Sequence, residues 1–212
     1  MGTVIEIIGE TGVGKSTSLR EFEEGEVGIF NVAGKPLPFR KKLPMANRAD
    51  YATIDRTLAS NKLKCYVIDD ATYLMQFDNF RRAGQSGYQK FTDMAVSFEQ
   101  VLEAAIATDD DTTVYFMVHP EYDENGRMRM KTIGKMLSEK LCVEGLFPIV
   151  LAAKRDEDGY YFETQTDGTT PSKSPMGMFD SVRIPNDLKA VDARIREYYG
   201  LAPLKSTRKK GA

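Results

Sequence analysis

Near the start of the chain stands Gly9-Glu10-Thr11-Gly12-Val13-Gly14-Lys15-Ser16, which reads G-x-x-x-x-G-K-S, the phosphate-binding loop. Its flanks fit: Thr3–Ile8 is a short β-branched run, and Ser16–Phe22 begins a helix. A strand must lead in and a helix lead out, because the loop amides and the helix N-terminus together hold phosphate oxygens. The glycines let the backbone turn tightly and approach a ligand. Lys15 is placed to reach the β- and γ-phosphates, and the Ser16 hydroxyl to sit on Mg²⁺. Gly9, Thr11, Gly12, Val13, Gly14, Lys15, Ser16 and Thr17 are therefore the expected nucleotide-binding residues. A glycine-rich turn that binds nothing is the plain alternative. The motif specifies a nucleoside triphosphate and leaves its use open.

A length of 212 residues suits one domain, expected over residues 1–200, with residues 201–212 a basic, disordered tail. No apolar run approaches bilayer length. A strand begins by Thr3, so neither a signal nor a transit peptide is expected, and the chain reads as cytoplasmic. Cys65 and Cys142 are isolated in apolar stretches and read as buried thiols in a reducing compartment. With no CxxC pair and one histidine, a zinc site is not expected.

Val27–Val32 reads as a second buried strand. Residues 33–49 form a long loop with three prolines and no acidic residue, carrying Lys35, Arg40, Lys41, Lys42 and Arg48. It is either a solvated lid or a surface for phosphate or nucleic acid. Asp50 predicts the cap of a helix through about Ser60. Cys65-Tyr66-Val67-Ile68-Asp69-Asp70 then reads as a parallel strand ending in acid. Asp69 is the candidate to hold Mg²⁺ through water, and Asp70 to orient the attacking water. Residues 72–90 read as irregular, with Tyr73, Phe77, Phe80 and Tyr88 among Arg81, Arg82 and Lys90. Such a mixture forms either a stacking platform for single-stranded nucleic acid or part of a core.

Phe91–Ala107 is helical by period, and Thr113–Val118 is a further strand, closed by His119 and Pro120. Parallel strands deliver their C-terminal ends to one crevice. His119 is thereby a candidate γ-phosphate sensor, or else a strand-end histidine bonded to a loop carbonyl. Asp123-Glu124-Asn125-Gly126 marks a hairpin, with Arg127, Arg129 and Lys131 alternating after it. Met136–Leu141 reads as a short helix. Phe147–Lys154 and Tyr160–Thr166 flank an Asp-Gly turn and predict an antiparallel hairpin. Lys173 lies in a stiff loop between Pro171 and Pro175, and Asp187 caps a last helix over about Leu188–Tyr199.

Gly9–Ser16, Cys65–Asp70 and His119, followed by a terminal hairpin and a lysine-bearing loop, together resemble the phage nucleotide-binding P-loop proteins. These are small RecA-like ATPases of phage recombination and replication modules. Residues 31–39, 130–137 and 173–179 look like segments typical of them. The resemblance implies a three-layer α/β RecA-like P-loop NTPase core, with a mostly parallel central sheet and a C-terminal antiparallel hairpin. It implies ATP and Mg²⁺ as cofactors, single-stranded DNA as partner, a homo-oligomer, and host cytoplasm as location. Its catalytic set here is Lys15, Asp70, His119 and Lys173, the last reaching a neighbour's ATP. RecA places a catalytic glutamate at a strand end near the loop, whereas the second strand here ends in Asn31, so slow or DNA-stimulated hydrolysis is expected. A non-hydrolysing ATP-dependent switch or loader is the alternative. A nucleotide kinase using Arg127 and Arg129 as a lid is a further one.

Overall fold

The computed structural model describes residues 1–134, 137 and 141–206. Its frame is one sheet of eight strands among the described residues. The strands are β1 (Thr3–Ile8), β2 (Gly28–Asn31), β3 (Met45–Asn47), β4 (Cys65–Asp69), β5 (Thr113–Val118), β8 (Ile149–Asp156), β9 (Gly159–Glu163) and β10 (Arg183–Pro185). A separate hairpin pairs β6 (Pro120–Tyr122) with β7 (Met128–Met130). The order across the sheet is β10-β9-β8-β1-β5-β4-β2-β3. From β8 to β3 all neighbours run parallel; β9 and β10 are antiparallel at one edge.

Alternation within the strands divides the core. Val4 and Ile8 face α1 (Tyr51–Ser60), α2 (Thr72–Arg81) and α3 (Gln89–Ile106), with Ile54, Leu74 and Phe98 in one cluster. Ile5 and Ile7 face the other way, towards α4 (Leu188–Tyr199) and the short 3₁₀ helix Ser16–Glu21, with Leu19, Leu188 and Ile195 in a second cluster. The sheet is thus covered on both faces, as parallel sheets require. Asp50 and Asp187 cap α1 and α4 by accepting from the amides of Thr53 and Ala190.

Several expectations change. The helix after the phosphate loop is a 3₁₀ turn. Residues 72–90 are not irregular: they hold all of α2 and the start of α3. α2 is apolar on both sides, with Leu74 and Met75 buried and Phe77 and Phe80 exposed, so it shows no clean stripe. The long loop contains β3, which extends the sheet beside β2. Cys65 is buried but Cys142 is exposed. The helix expected at Met136–Leu141 lies outside the described residues apart from Leu137 and Leu141, and so does the tail beyond Ser206. Among the described residues no helix is long and apolar enough to cross a membrane.

Candidate active site

The sheet brings three strand ends to one edge. Ile8 of β1 is level with Val118 of β5, and Ile68 of β4 with Phe116. The phosphate loop, Asp69-Asp70 and His119 therefore follow neighbouring strands on the same side, with β5 between β1 and β4. Along β4, Cys65, Val67 and Asp69 share the face that carries the Ser16–Glu21 helix. That parity is why Asp69, and not Asp70, meets the loop. The Ser16 hydroxyl donates to Asp69 Oδ1 at 2.9 Å.

The loop is tightly folded. Gly14 has φ 93°, and a Cβ there would lie 2.8 Å from the Tyr160 ring, so only glycine fits. The Arg155 guanidinium also lies over that ring, 5.2 Å from its centroid. Lys15 is buried, and its ammonium donates to the carbonyls of Gly9 and Glu10. Burial lowers the Lys15 pKa to about 8, against the attraction of Asp70, Asp69 and Glu10. Burial, reinforced by the neighbouring Asp70 charge, raises Asp69 to about 6, against the Ser16 hydrogen bond and Lys15.

Asp70 sits just past β4 with φ 62°, a left-handed backbone that is costly for a residue with a Cβ. Its Oδ1 accepts from His119 Nε2 at 2.9 Å, and its Oδ2 pairs with Lys35 Nζ at 2.7 Å. Burial opposes ionisation of Asp70, but the His119 and Lys35 hydrogen bonds outweigh it and hold its pKa below the ordinary carboxylate value. Since Asp70 accepts, the histidine proton sits on Nε2. The backbone amide of His119 donates to the Thr72 hydroxyl, and the Tyr73 ring meets the imidazole edge-on at 5.4 Å.

Neither family models nor curated proteins match this chain. What the site can do rests on its own geometry. The structure gathers Lys15, Ser16, Asp69, Asp70 and His119 around one crevice. Lys173 is apart from them: it is half-buried, and its backbone bridges to Val150 with paired 2.9 Å hydrogen bonds. Its charge acts on the buried Glu6.

Three residues escaped the sequence reading. Lys35 is the first: one of several lysines in a basic loop, it becomes special only because Asn31 holds it. Asn31 Nδ2 donates to the Lys35 carbonyl at 2.6 Å and to Asn47 Oδ1 at 2.9 Å, and its Oδ1 accepts from the Lys35 amide at 3.2 Å. Asn31, the strand end that lacks a glutamate, is thus a bracket for the loop. Its carbonyl also accepts from the Arg48 amide at 2.7 Å. Glu6 is the third, fully buried between Phe116 and Val150, with no hydrogen-bond partner for either oxygen among the described residues. Burial, then the nearby Glu144, push its pKa well above the usual carboxylate range and favour its protonated form. No motif signals it; the alternation Val4, Glu6, Ile8 alone places it in the core.

The hairpin β6–β7 matches its turn signal. Met128 and Met130 point inward and Arg129 outward, where it pairs with Asp123 at 3.5 Å. Burial, then a hydrogen bond to Glu10 of the phosphate loop, pushes the pKa of Tyr122 on this hairpin up to about 12.

Proposed function

We propose that this chain is a RecA-like P-loop ATPase of the phage nucleotide-binding type, which binds ATP with Mg²⁺ and acts on single-stranded DNA. The observation that carries this reading is the 2.9 Å contact between Ser16 and Asp69, which joins the loop to an acidic strand end across the intervening β5. A hydroxyl and a carboxylate are hard oxygen donors suited to Mg²⁺. Among the described residues no group of three or more His, Cys, Asp or Glu could hold a metal alone. The remaining ligands of the ion would be phosphate oxygens and water. Such an ion would supply neutralisation of charge developing on the phosphates.

The chain's own groups divide the remaining work. Lys15 exchanges its two carbonyl acceptors for phosphate oxygens. The loop amides bind the β-phosphate, with Gly14 kept bare by Tyr160. Asp70 is a weak base, so its role is to orient the attacking water rather than to hold its proton strongly. His119, bonded to Asp70, reports γ-phosphate occupancy to Tyr73 and α2. Hydrolysis is slow in this arrangement, because Lys35 and His119 already occupy both oxygens of Asp70. The same occupancy favours the second reading, an ATP-gated binding switch. Lys173, held against Val150, acts on the ATP of a neighbouring copy.

The test is ATP turnover by the full chain with and without single-stranded DNA, beside Lys15→Ala as a blank. Turnover that rises with DNA and disappears in the variant supports the ATPase. ATP binding without turnover under both conditions overturns it in favour of the switch. No ATP binding overturns both.

A further inference from the structure

The loop's second bracketed cation, Arg48, lines a groove and, unlike Lys35, makes no ion pair with Asp70. It holds a left-handed backbone, φ 53°, with its amide tied to Asn31. Its guanidinium is exposed and makes no hydrogen bond or ion pair among the described residues. A strained, unpaired arginine whose amide is fixed by the main-chain carbonyl of a buried residue calls for a ligand. It lines a groove of about 450 Å³ whose other wall is α2, through Leu74, Phe77, Phe80 and Arg81, with Val32 as floor. That volume lies within the range of small-ligand sites, about 300–1,000 Å³. Phe80 is 76% exposed and Phe77 38%, although both belong to a helix whose inner face is fully packed. Arg81 is largely exposed, its Nη2 a loose 3.7 Å from Asp78 Oδ1. Asp50, at the rim, spends an oxygen on capping α1.

We propose that this groove is the docking site for single-stranded DNA, with a base against Phe77 and Phe80 and the flanking phosphates on Arg48 and Arg81. The proposal rests on the DNA reading of the previous subsection and gives it a location and a link to ATP. A cation on each wall of a groove that also presents two aromatic rings suits the alternation of phosphate and base along a strand. A duplex does not fit this chemistry, because its bases are already stacked. The groove also communicates with the crevice. Its floor continues β2 past Asn31, and α2 begins two residues after Asp70. Phe77 stacks on Tyr73 at 5.3 Å, Tyr73 meets His119, and Lys35 lies over the same Tyr73 ring at 5.5 Å. A base that orders Phe77 thereby orders the residues that hold Asp70.

The experiment is fluorescence anisotropy of a labelled oligo-dT 20-mer with the full chain, with and without ATP and Mg²⁺. Phe80→Ala is expected to weaken binding about tenfold, the loss of one stacked base. A double variant, Arg48→Asn with Arg81→Gln, is expected to lower the salt slope by about 1.4, two single-strand phosphate contacts. Asparagine tolerates the left-handed backbone at position 48. ATP affinity, measured in parallel, stays unchanged in both and shows that they fold. Binding by wild type that survives in both variants overturns the groove and leaves the DNA reading standing. No binding by wild type in any nucleotide state overturns both. A change of oligomeric mass in Phe80→Ala with DNA binding intact makes the groove a subunit contact and also overturns the proposal.

Discussion

Two of the site residues titrate inside the working range of pH, in opposite senses. Asp69 must be ionised to hold a cation, and its pKa is raised to about 6. Lys15 must be protonated to hold phosphate, and its pKa is lowered to about 8. In the ATPase proposed above, affinity for MgATP is therefore expected to be highest between about pH 6 and 8. It falls on the acid side as Asp69 takes a proton, and on the alkaline side as Lys15 loses one. Calorimetric titration across this range checks it, and Asp69→Asn should lack the acid limb. Glu6 works on stability instead. Burial raises its folded pKa well above that of a free carboxylate, so the folded state keeps a proton that the unfolded state gives up. Wild-type stability then falls as pH rises above that value, by about 1.4 kcal/mol per pH unit until the folded pKa is reached. Glu6→Gln removes the dependence, so its advantage in thermal unfolding temperature should be small in acid and grow as pH rises above the ordinary carboxylate range.

At the level of elements, α4 and α2 do different things. α4 is bolted to the N-terminal ends of the strands, away from the candidate site. Asp192 Oδ1 accepts from the hydroxyls of Thr113 at 2.6 Å and Tyr115 at 2.8 Å, while its Oδ2 accepts from Arg196 Nε at 2.6 Å. Arg196 also donates to the carbonyls of Asp111, Ala202 and Lys64. Removing one partner from such a fully satisfied buried pair strands the other charge. Asp192→Ala should cost about 3–5 kcal/mol in denaturant unfolding, and Asp187→Ala, the loss of a cap, only about 1 kcal/mol. Neither should alter ATP affinity in the folded protein. α2 is a connector. Tyr73→Leu keeps the helix but removes the ring between His119 and Phe77, so oligo-dT binding should persist while its response to ATP disappears. A persisting response would show that the aromatic stack carries no signal.

The molecule as a whole has a net charge of −2, so its cations matter by grouping rather than by number. The fold separates them. Lys15 and Lys35 serve the crevice, Arg48 and Arg81 the groove, and Lys173 lies across the sheet on the far side of β8 from β1. If Lys173 completes the ATP site of a neighbouring copy, Lys173→Ala and Lys15→Ala chains should each turn over poorly alone yet regain turnover when mixed. The mixed subunit sites then pair a sound loop with a sound lysine. Strictly additive activity of the mixture would place Lys173 outside the mechanism.

What the sequence determined by itself was local chemistry. The loop, the acidic end of β4, the histidine after β5, the Asp-Gly turn and the caps Asp50 and Asp187 each depend on neighbours within a few residues, so spacing alone reveals them. The mostly parallel sheet and its antiparallel edge were legible for the same reason, from runs of apolar residues and turn signals. The tertiary structure decided everything that depends on which elements meet. Asp70 gains Lys35 and His119 from two other segments, and Asn31 becomes a bracket only because β3 and the loop return to it. α2 was hidden because both of its faces are apolar, one for the core and one for the surface. Glu6 and the Asp192–Arg196 pair were invisible because burial of a charge is set by register and packing, which no single stretch of chain contains. Lys173 stood in the right kind of loop, but strand pairing with Val150, not composition, chose where it points.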